Sequence, residues 1–155
     1  RGLPIDDQLA IEGLASVRLS GRMEMIWQNP RIMVDGAHNA ASINALMRGI
    51  GQNVPYDSMI VIFGCQRDKD VAGMLRRIQL GADKMIFTST GSPRSMDPQD
   101  LAAAYIEQCG KMAQVAENLE EAIRIASAAI TREDLICITG SFYLVGLAKR
   151  LYANK

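Results

Sequence analysis

The sequence predicts an α/β domain in which a doubly wound, mostly parallel sheet is flanked by helices. Four short apolar runs are continuous rather than alternating, and they cover 32–34, 60–63, 85–87 and 135–138. Strands that are buried on both faces have this pattern, which is typical of a parallel sheet covered by helices. Stretches with helical spacing separate the runs, and such repeated βα units predict a doubly wound sheet.

Each predicted helix has an apolar stripe or a start signal. Stripes with spacing i, i+3, i+4 and i+7 begin at Ile43, Val71, Leu119 and Leu144. Asp97 followed by Pro98 predicts the N-cap and the first position of a further helix. Asn118 and Glu121 resemble a capping box, with Asn in place of the usual Ser or Thr.

Two more strands are predicted at 23–27 and 112–115. Residues 1–20 fit the βα pattern poorly, and we expect them to be a linker and a short helix that belong to a preceding domain. The α/β domain would then occupy residues 21–155. The sequence begins with Arg1 rather than Met, so we expect it to be part of a longer chain.

Composition excludes several classes of protein. The chain has 155 residues with 17 basic and 17 acidic side chains, so no charge excess points to nucleic acid or to an anionic membrane. No apolar run approaches the roughly 18 residues that span a bilayer. Cys65, Cys109 and Cys137 are odd in number and lack C-x-x-C spacing, which argues against a zinc site or a disulfide framework. We therefore expect a cytoplasmic protein without metal ligands of its own.

Polar, Gly-containing segments follow the four apolar runs. They cover 35–39, 64–70, 88–94 and 139–141. In an open parallel sheet, ligands bind beyond the carboxyl ends of the strands. These four loops are therefore predicted to line one edge of the sheet together and to form the functional site.

The loop residues allow structural as well as functional interpretations. His38 is the only histidine; a lone histidine is more often structural, but its place in a loop after a strand favours function. Asp35 could cap the helix that begins near Asn39. Lys69 lies between two aspartates, where a solvated run of charges is the plain interpretation.

Three further residues have similarly open interpretations. Ser141 opens the last helix, where N-capping is the default role, although a helix N-terminus also offers free N–H groups to a carboxylate. Arg22 and Arg94 could simply be surface arginines in loops.

Several complete catalytic motifs are absent from the sequence. The phosphate-binding pattern G-x-x-x-x-G-K-[ST] and the dinucleotide pattern G-x-G-x-x-G do not occur. Neither a Ser-His-acid order nor H-E-x-x-H is found. The residues therefore favour a lobe that completes a site of another domain over a complete enzyme.

Four motifs together carry a resemblance to a known family. Gly-Arg-Met-Glu at 21–24, Asp-Gly-Ala-His-Asn at 35–39, Asp-Lys-Asp at 68–70 after Gly64, and Thr-Gly-Ser-Phe-Tyr-Leu-Val-Gly at 139–146 occur in this order. The sequence resembles the C-terminal domain of folylpolyglutamate synthase and dihydrofolate synthase, within the Mur ligase superfamily, over residues 10–155. Leu19-Ser20 and Ala40 depart from the family pattern, but neither change touches a charged or hydroxyl group of the motifs.

The resemblance implies an ATP-dependent amide ligase. A preceding domain would bind most of the ATP and Mg²⁺ and convert a substrate carboxylate to an acyl phosphate. The C-terminal lobe would deliver L-glutamate, whose amine attacks this intermediate. The partners implied are L-glutamate and, through the preceding domain, folate or dihydropteroate, and we expect the 155-residue chain alone to be inactive.

The resemblance also implies roles for single residues. Arg22 matches an arginine that reaches the phosphates of the nucleotide and acts in catalysis, and Asp35 matches an aspartate near the ribose. The positions associated with glutamate are His38, Lys69 and Ser141, which would offer a ring N–H, an ammonium and a hydroxyl, and His38 is also a catalytic candidate. Asn39 and Asp68 are weaker candidates, Arg94 receives no ligand, and Asp68 and Asp70 are expected to turn toward helix capping or toward Lys69.

Two other functions stay open from the sequence. One is a lobe of a Mur-type peptidoglycan or cyanophycin ligase, which would take a different amino acid. The other is a non-catalytic domain that kept the fold and binds a nucleotide or a protein partner.

Overall fold

A computed structural model describes residues 7–16 and 19–155. This part of the chain forms six helices and six strands, in the following order: α1 (Asp7–Ser16), β1 (Glu24–Gln28), β2 (Arg31–Asp35), α2 (Ala40–Asn53), β3 (Met59–Phe63), α3 (Val71–Ile78), β4 (Lys84–Phe87), α4 (Pro98–Cys109), β5 (Gln114–Val115), α5 (Leu119–Ala128), β6 (Leu135–Thr139) and α6 (Phe142–Ala153).

The six strands form one sheet in the order β1-β2-β6-β3-β4-β5. The edge pair β1 and β2 is antiparallel, and every other neighbouring pair is parallel. The predicted α/β class with a mostly parallel sheet is therefore confirmed. Since β2, β6, β3 and β4 are parallel neighbours, their carboxyl ends lie at the same edge.

Both faces of the sheet are buried, which explains the continuous apolar runs. On β3, Met59, Val61 and Phe63 belong to one core, which α2, α3 and α4 cover. Ile60 and Ile62 belong to the opposite core, which α5 and α6 cover. With helices on both sides, alternate residues of a strand are equally apolar.

Strand β5 is shorter than the predicted strand at 112–115. Only Gln114 and Val115 pair, with Ile86 and Phe87 at the end of β4. Met112 precedes this short contact and is 81% exposed. Its apolar side chain led to the prediction of a longer strand, although Met112 does not belong to the sheet.

The start signals of two helices have different outcomes. Asp97 is the N-cap of α4 and accepts a hydrogen bond from Gln99 N at 2.7 Å, as predicted. Asn118 caps α5 by accepting from Glu121 N at 2.9 Å. The second half of the capping box is wrong, because the Glu121 carboxylate accepts from Glu117 N, one residue before the cap, at 2.7 Å.

The N-terminal segment contains α1, which agrees with the short helix expected within residues 1–20. The linker expected there falls partly on residues 1–6 and 17–18, which lie outside the described residues. The boundary at residue 21 stays a prediction. Among the helices of the described ranges, none has both the length and the apolar composition that crossing a membrane requires.

Candidate functional site

Three loops at the carboxyl edge are tied to one another through their backbones. Gly64 N donates to Thr139 O at 3.3 Å, and Gly140 N donates to Ala37 O at 3.0 Å. Gly140 has φ 106°, and a Cβ there would collide with the carbonyl oxygen of Gly64. The residue must be glycine because of both the left-handed backbone and this close approach. The loops after β2, β3 and β6 thus form one rim.

A cleft of about 240 Å³ opens at this rim. His38, Lys69 and Ser141 all line it, although they are separated by 31 and 72 residues along the chain. Each follows a different strand, and the parallel order of β2, β3 and β6 brings the strand ends side by side. The structure therefore places the three residues associated with glutamate around the same cavity.

Ser141 joins the cleft to the start of α6. It is the N-cap of this helix, is 3% exposed, and its Oγ accepts from Tyr143 N at 3.0 Å. The hydroxyl proton remains available to a ligand, because the capping bond uses only a lone pair. The first turn of α6 borders the cleft, so its positive end adds to the attraction for an anion.

The two aspartates beside Lys69 have separate partners. Asp70 caps α3 by accepting from Gly73 N at 2.9 Å, which is one of the two arrangements expected for it. Asp68 forms an ion pair with Arg94 at 2.9 Å, so the expectation that it would cap a helix or pair with Lys69 is wrong. Lys69 makes no ion pair with any described residue, and its ammonium is left for the cleft.

Arg94 and Gln66 line the cleft as well, and sequence reasoning did not assign a ligand to either. The Arg94 side chain is 70% exposed beside Asp68. The only sequence signal for Arg94 was its place in the loop after β4, at the same edge as the other candidates. With Lys69, it gives the cleft a second cation.

His38 has one of its two ring nitrogens occupied. Nδ1 lies 2.9 Å from Gly36 O, and a carbonyl oxygen can only accept, so this contact requires the proton on Nδ1. The neutral ring therefore presents Nε2 to a ligand as an acceptor. The expected ring N–H toward a carboxylate is available at Nε2 only when the imidazole is protonated.

Arg22 does not line the cleft, but it contacts Phe142, which does. Its guanidinium is exposed and stands over the Phe142 ring, 5.0 Å from the centroid. The His38 ring contacts the same phenyl group, with 5.9 Å between centroids. A Cβ on Gly36 would collide with this ring, so the glycine allows Phe142 to approach the loop closely. Phe142 thus contacts both Arg22 and His38, and of these three residues only Arg22 lies outside the cleft lining.

Asp35 fastens the loops that carry Arg22 and His38. It is 5% exposed, and its two oxygens accept from Met23 N at 2.9 Å and from Ala37 N at 2.8 Å. It does not cap α2, because Asn39 does so by accepting from Ser42 N at 2.8 Å. Asn39 is therefore occupied at the helix start.

Glu24, the last residue of the first motif, supports the Arg22 turn. Its Oε2 accepts from Gly21 N at 2.7 Å, and it forms an ion pair with Lys149 at 3.0 Å. The hydrogen bond from Gly21 is the main reason that the pKa of Glu24 lies below its usual value. The carboxylate therefore stays charged and holds the turn at neutral pH.

Cys65 lies in the loop after β3 but does not suit nucleophilic chemistry. It is fully buried, and burial raises the pKa of its thiol to about 12. A thiolate is the reactive form, so at neutral pH this cysteine acts as part of the core.

Comparisons with known proteins agree on one family. The family model described as "Mur ligase, glutamate ligase domain" matches residues 21–142. The dihydrofolate synthase/folylpolyglutamate synthase of Mycobacterium tuberculosis is 30% identical over 165 residues, covering 97% of this chain and 34% of that protein. The chain thus spans about a third of the length of such relatives.

Solved structures give the same result. The M. tuberculosis folylpolyglutamate synthase complexed with ADP matches with a TM-score of 0.88 and 30% identity, over 97% of this chain and 36% of that one. A bifunctional folylpolyglutamate synthase/dihydrofolate synthase with Mn, AMPPNP and L-glutamate bound matches with a TM-score of 0.82 and 26% identity. That match covers 96% of this chain and 35% of the other.

Proposed function

Because the chain belongs to the family of Mur ligase glutamate ligase domains, we propose that it is the amino-acid-binding lobe of a longer ATP-dependent amide ligase. Its role is to hold L-glutamate and to deliver the amine to the activated carboxylate of a folate or a dihydropteroate. The observation that carries this proposal is the single cleft that His38, Lys69 and Ser141 line at the carboxyl edge of the sheet. A similar protein has been solved with L-glutamate bound, which supports the choice of amino acid.

The polar groups of the cleft complement the charges of glutamate. Lys69 and Arg94 supply two cations for two carboxylates, and Ser141 adds a hydroxyl beside the N-terminal end of α6. Hydrogen bonds to charged groups contribute roughly 1.5–3 kcal/mol each. To bind a carboxylate, Arg94 shares or exchanges its partner Asp68, and this ion pair is exposed enough to break at low cost.

His38 is suited to the amine of the amino acid. The amine attacks in its neutral form and loses one further proton as the amide bond forms, while phosphate leaves the carbonyl carbon with the bonding electron pair. With Nδ1–H bound to Gly36 O, the Nε2 lone pair can accept a hydrogen bond from this amine and then its proton. His38 would thus act on the reacting nitrogen, and Lys69 and Ser141 on the carboxylates.

The nucleotide side of the site is represented in this chain by Arg22. ATP supplies the phosphoryl group that activates the carboxylate, and the preceding part of the longer protein would hold most of the ATP and its Mg²⁺. An exposed guanidinium that is fixed over Phe142 fits the charge of phosphate oxygens. Asp35 fits direct contact with the ribose less well, because it is 5% exposed and each of its oxygens already accepts a backbone N–H. We assign it the positioning of Arg22 and His38 beside the nucleotide.

The test is steady-state kinetics on the full-length protein with Lys69→Ala. Removing the ammonium should raise the KM for L-glutamate about tenfold or more, since one charge-assisted contact is lost, while the KM for ATP stays nearly unchanged. Lys84→Ala is the matched control, because Lys84 is an exposed lysine at the opposite edge of the sheet. A Lys69→Ala variant with a normal KM for glutamate would exclude the proposal.

The same assay separates the other functions that the sequence left open. A lobe of a peptidoglycan or cyanophycin ligase would use a different amino acid in preference to L-glutamate. A non-catalytic domain would support no ligation with any amino acid.

A further inference from the structure

Gln66 is the one cleft residue whose buried side chain lacks the hydrogen bond that its burial calls for, within the described part of the chain. It lines the cleft beside Lys69, is 9% exposed, and its Oε1 has neither solvent contact nor a hydrogen-bond partner. Buried amide groups are nearly always paired, because an unpaired one costs stability. The fold therefore retains this side chain at a cost to stability, which is expected where a residue is kept for a ligand.

The position of Gln66 is fixed by its backbone. The loops after β3 and β4 pair around it: Met96 N donates to Cys65 O at 2.9 Å, and Arg67 N donates to Arg94 O at 3.0 Å. Lys69 N donates to Gln66 O at 3.3 Å and closes the turn. The same paired loops carry Lys69 and Arg94, so the amide has a set place relative to both cations.

The polar atom of Gln66 that can face the cleft is Nε2. Since Oε1 is enclosed by the protein, a ligand meets the nitrogen end of the amide, which donates and does not accept. A carboxylate is the complementary group. A hydrogen bond from an amide N–H to such a charged acceptor is shorter and stronger than one to a neutral acceptor.

Gln66 is also more buried than the two charged residues beside it. The side chains of Arg94 and Asp68 are 70% and 52% exposed, whereas Gln66 is 9% exposed. The amine of the amino acid must reach a carboxylate that is held outside this chain, so the α-carbon lies toward the mouth of the cleft. The far end of the amino acid then points to its base.

We propose that Gln66 is a specificity-determining residue that donates from Nε2 to the side-chain carboxylate of the incoming acidic amino acid. The inference rests on the proposed function, and it assigns the inner end of the cleft to the side chain of that amino acid. Lys69 and Arg94 hold the charge, and the neutral amide sets how far the second carboxylate lies from the amine.

The first experiment is Gln66→Met in the full-length protein, which keeps the size of the side chain and removes its polar atoms. The KM for L-glutamate should rise about tenfold, with the KM for ATP unchanged. The melting temperature should stay equal or rise, because the methionine leaves no buried polar atom unpaired. Gln52→Met, an exposed glutamine near the far end of α2, is the matched control and should change neither quantity.

The second experiment is Gln66→Asn, which retains the amide and withdraws it by one methylene. The variant should have a lower kcat/KM than the parent with L-glutamate. With L-2-aminoadipate, which is longer by one methylene, its kcat/KM should be higher than that of the parent. We expect the ratio of kcat/KM values for the two amino acids to shift at least tenfold toward the longer one. A merely structural role of Gln66 would weaken both amino acids equally.

The outcomes separate this inference from the proposed function. If the parent protein uses L-glutamate and Lys69→Ala raises its KM, but Gln66→Met and Gln66→Asn keep the parent KM and the parent preference, Gln66 has no such role. If the parent protein does not use L-glutamate, the proposed function itself is wrong. If Gln66→Met does not fold, the preference of Gln66→Asn for the longer acid decides.

Discussion

Buried polar side chains are hydrogen-bonded at the amino end of the parallel strands and partly unpaired at the carboxyl end. At the amino end, before β6, the Asp134 carboxylate accepts from Ser58 N at 3.1 Å and Ser58 Oγ at 2.9 Å. It also accepts from Thr131 N at 2.7 Å and Thr131 Oγ1 at 3.1 Å. At the carboxyl end, the Gln66, Thr88 and Thr139 side chains each bury an oxygen that has no hydrogen-bond partner among the described residues. The chain completes its own hydrogen bonding at one end and leaves it incomplete at the other.

Backbone strain adds to this contrast. Met23 (φ 41°) is the only non-glycine residue of the described ranges with a left-handed φ, and it lies at the carboxyl end, beside the end of β2. A non-glycine residue in this region costs stability and persists only where its surroundings hold it, here through the bond from Met23 N to Asp35. Strain and unpaired groups thus occur at the edge of the sheet where the cleft opens. We therefore expect substitutions of the cleft residues to affect function more than stability, and substitutions at the amino end to do the reverse.

The largest expected effect that separates the two ends is that of Arg22→Ala in the full-length protein. Turnover should fall roughly a hundredfold or more, because a positive charge near the transferred phosphate stabilises the transition state. The KM for glutamate should change little, since Arg22 lies outside the cleft. The free energy of unfolding should change by less than about 1 kcal/mol, because the side chain interacts with the other described residues only through an exposed cation–π contact.

Arg48→Ala is the matched control, because Arg48 is an exposed arginine on α2. It should leave both turnover and stability as they are. An unchanged turnover in Arg22→Ala together with a raised KM for glutamate would assign Arg22 to the binding of the amino acid instead of the nucleotide.

At the amino end, the corresponding prediction concerns pH. The hydrogen bond from Thr131 N, followed by that from the Ser58 hydroxyl, lowers the pKa of Asp134 below its usual value. A carboxylate with a lowered pKa in the folded state stabilises the fold above its unfolded pKa of about 3.9, and the stabilisation is lost as the pH falls through the folded value. Urea denaturation of the 155-residue chain between about pH 6 and about pH 2 should therefore show a loss of stability below about pH 4.

Asp134→Asn should lower the urea midpoint at neutral pH and flatten its dependence on pH below about 4, because the amide does not titrate. Asp57→Asn, which replaces an exposed aspartate at the same end of the sheet, is the control. If acid weakens the parent chain and the Asp134→Asn variant equally, Asp134 is not the group responsible.

The fold could be predicted from the sequence because each strand and helix is indicated by its own local pattern of apolar residues. Four continuous apolar runs became β2, β3, β4 and β6, since helices cover both faces of those strands. Where a strand has little packing, as at β5, the apolar residue Met112 misled the prediction. Only half of the capping box predicted for Asn118 and Glu121 formed. The Glu121 carboxylate can accept from the N–H of Asn118 or from that of Glu117, and the backbone geometry selects Glu117.

The site could be predicted in part. The edge at which His38, Lys69 and Ser141 meet followed from the topology, because parallel strands end side by side. The pairing of Asp68 with Arg94 could not be predicted, since it depends on how the loops after β3 and β4 lie against each other. Nor could the state of Gln66, because a sequence does not reveal whether an amide is buried without a partner.

The smallest expected effect is also the most direct comparison of the two ends. Thr139 is fully buried at the carboxyl end of β6, and its Oγ1 has no partner within the described residues. Thr131, at the amino end, donates its hydroxyl to Asp134 at 3.1 Å. Because valine has nearly the shape of threonine and lacks the hydroxyl, Thr139→Val should raise the free energy of unfolding by about 1 kcal/mol. Thr131→Val should lower it by about 1 kcal/mol.

Both variants replace threonine by valine. If their changes in the free energy of unfolding have opposite signs, the difference comes from the surroundings of the two hydroxyl groups. Urea denaturation of the 155-residue chain at pH 7 measures both, with an unchanged m-value as the sign that the unfolded states remain comparable. If Thr139→Val loses stability as Thr131→Val does, the Thr139 hydroxyl is paired in solution and the contrast between the ends does not hold. If it gains stability, the carboxyl end retains a polar group at a cost to the fold, which is the pattern expected of a surface shaped for a ligand.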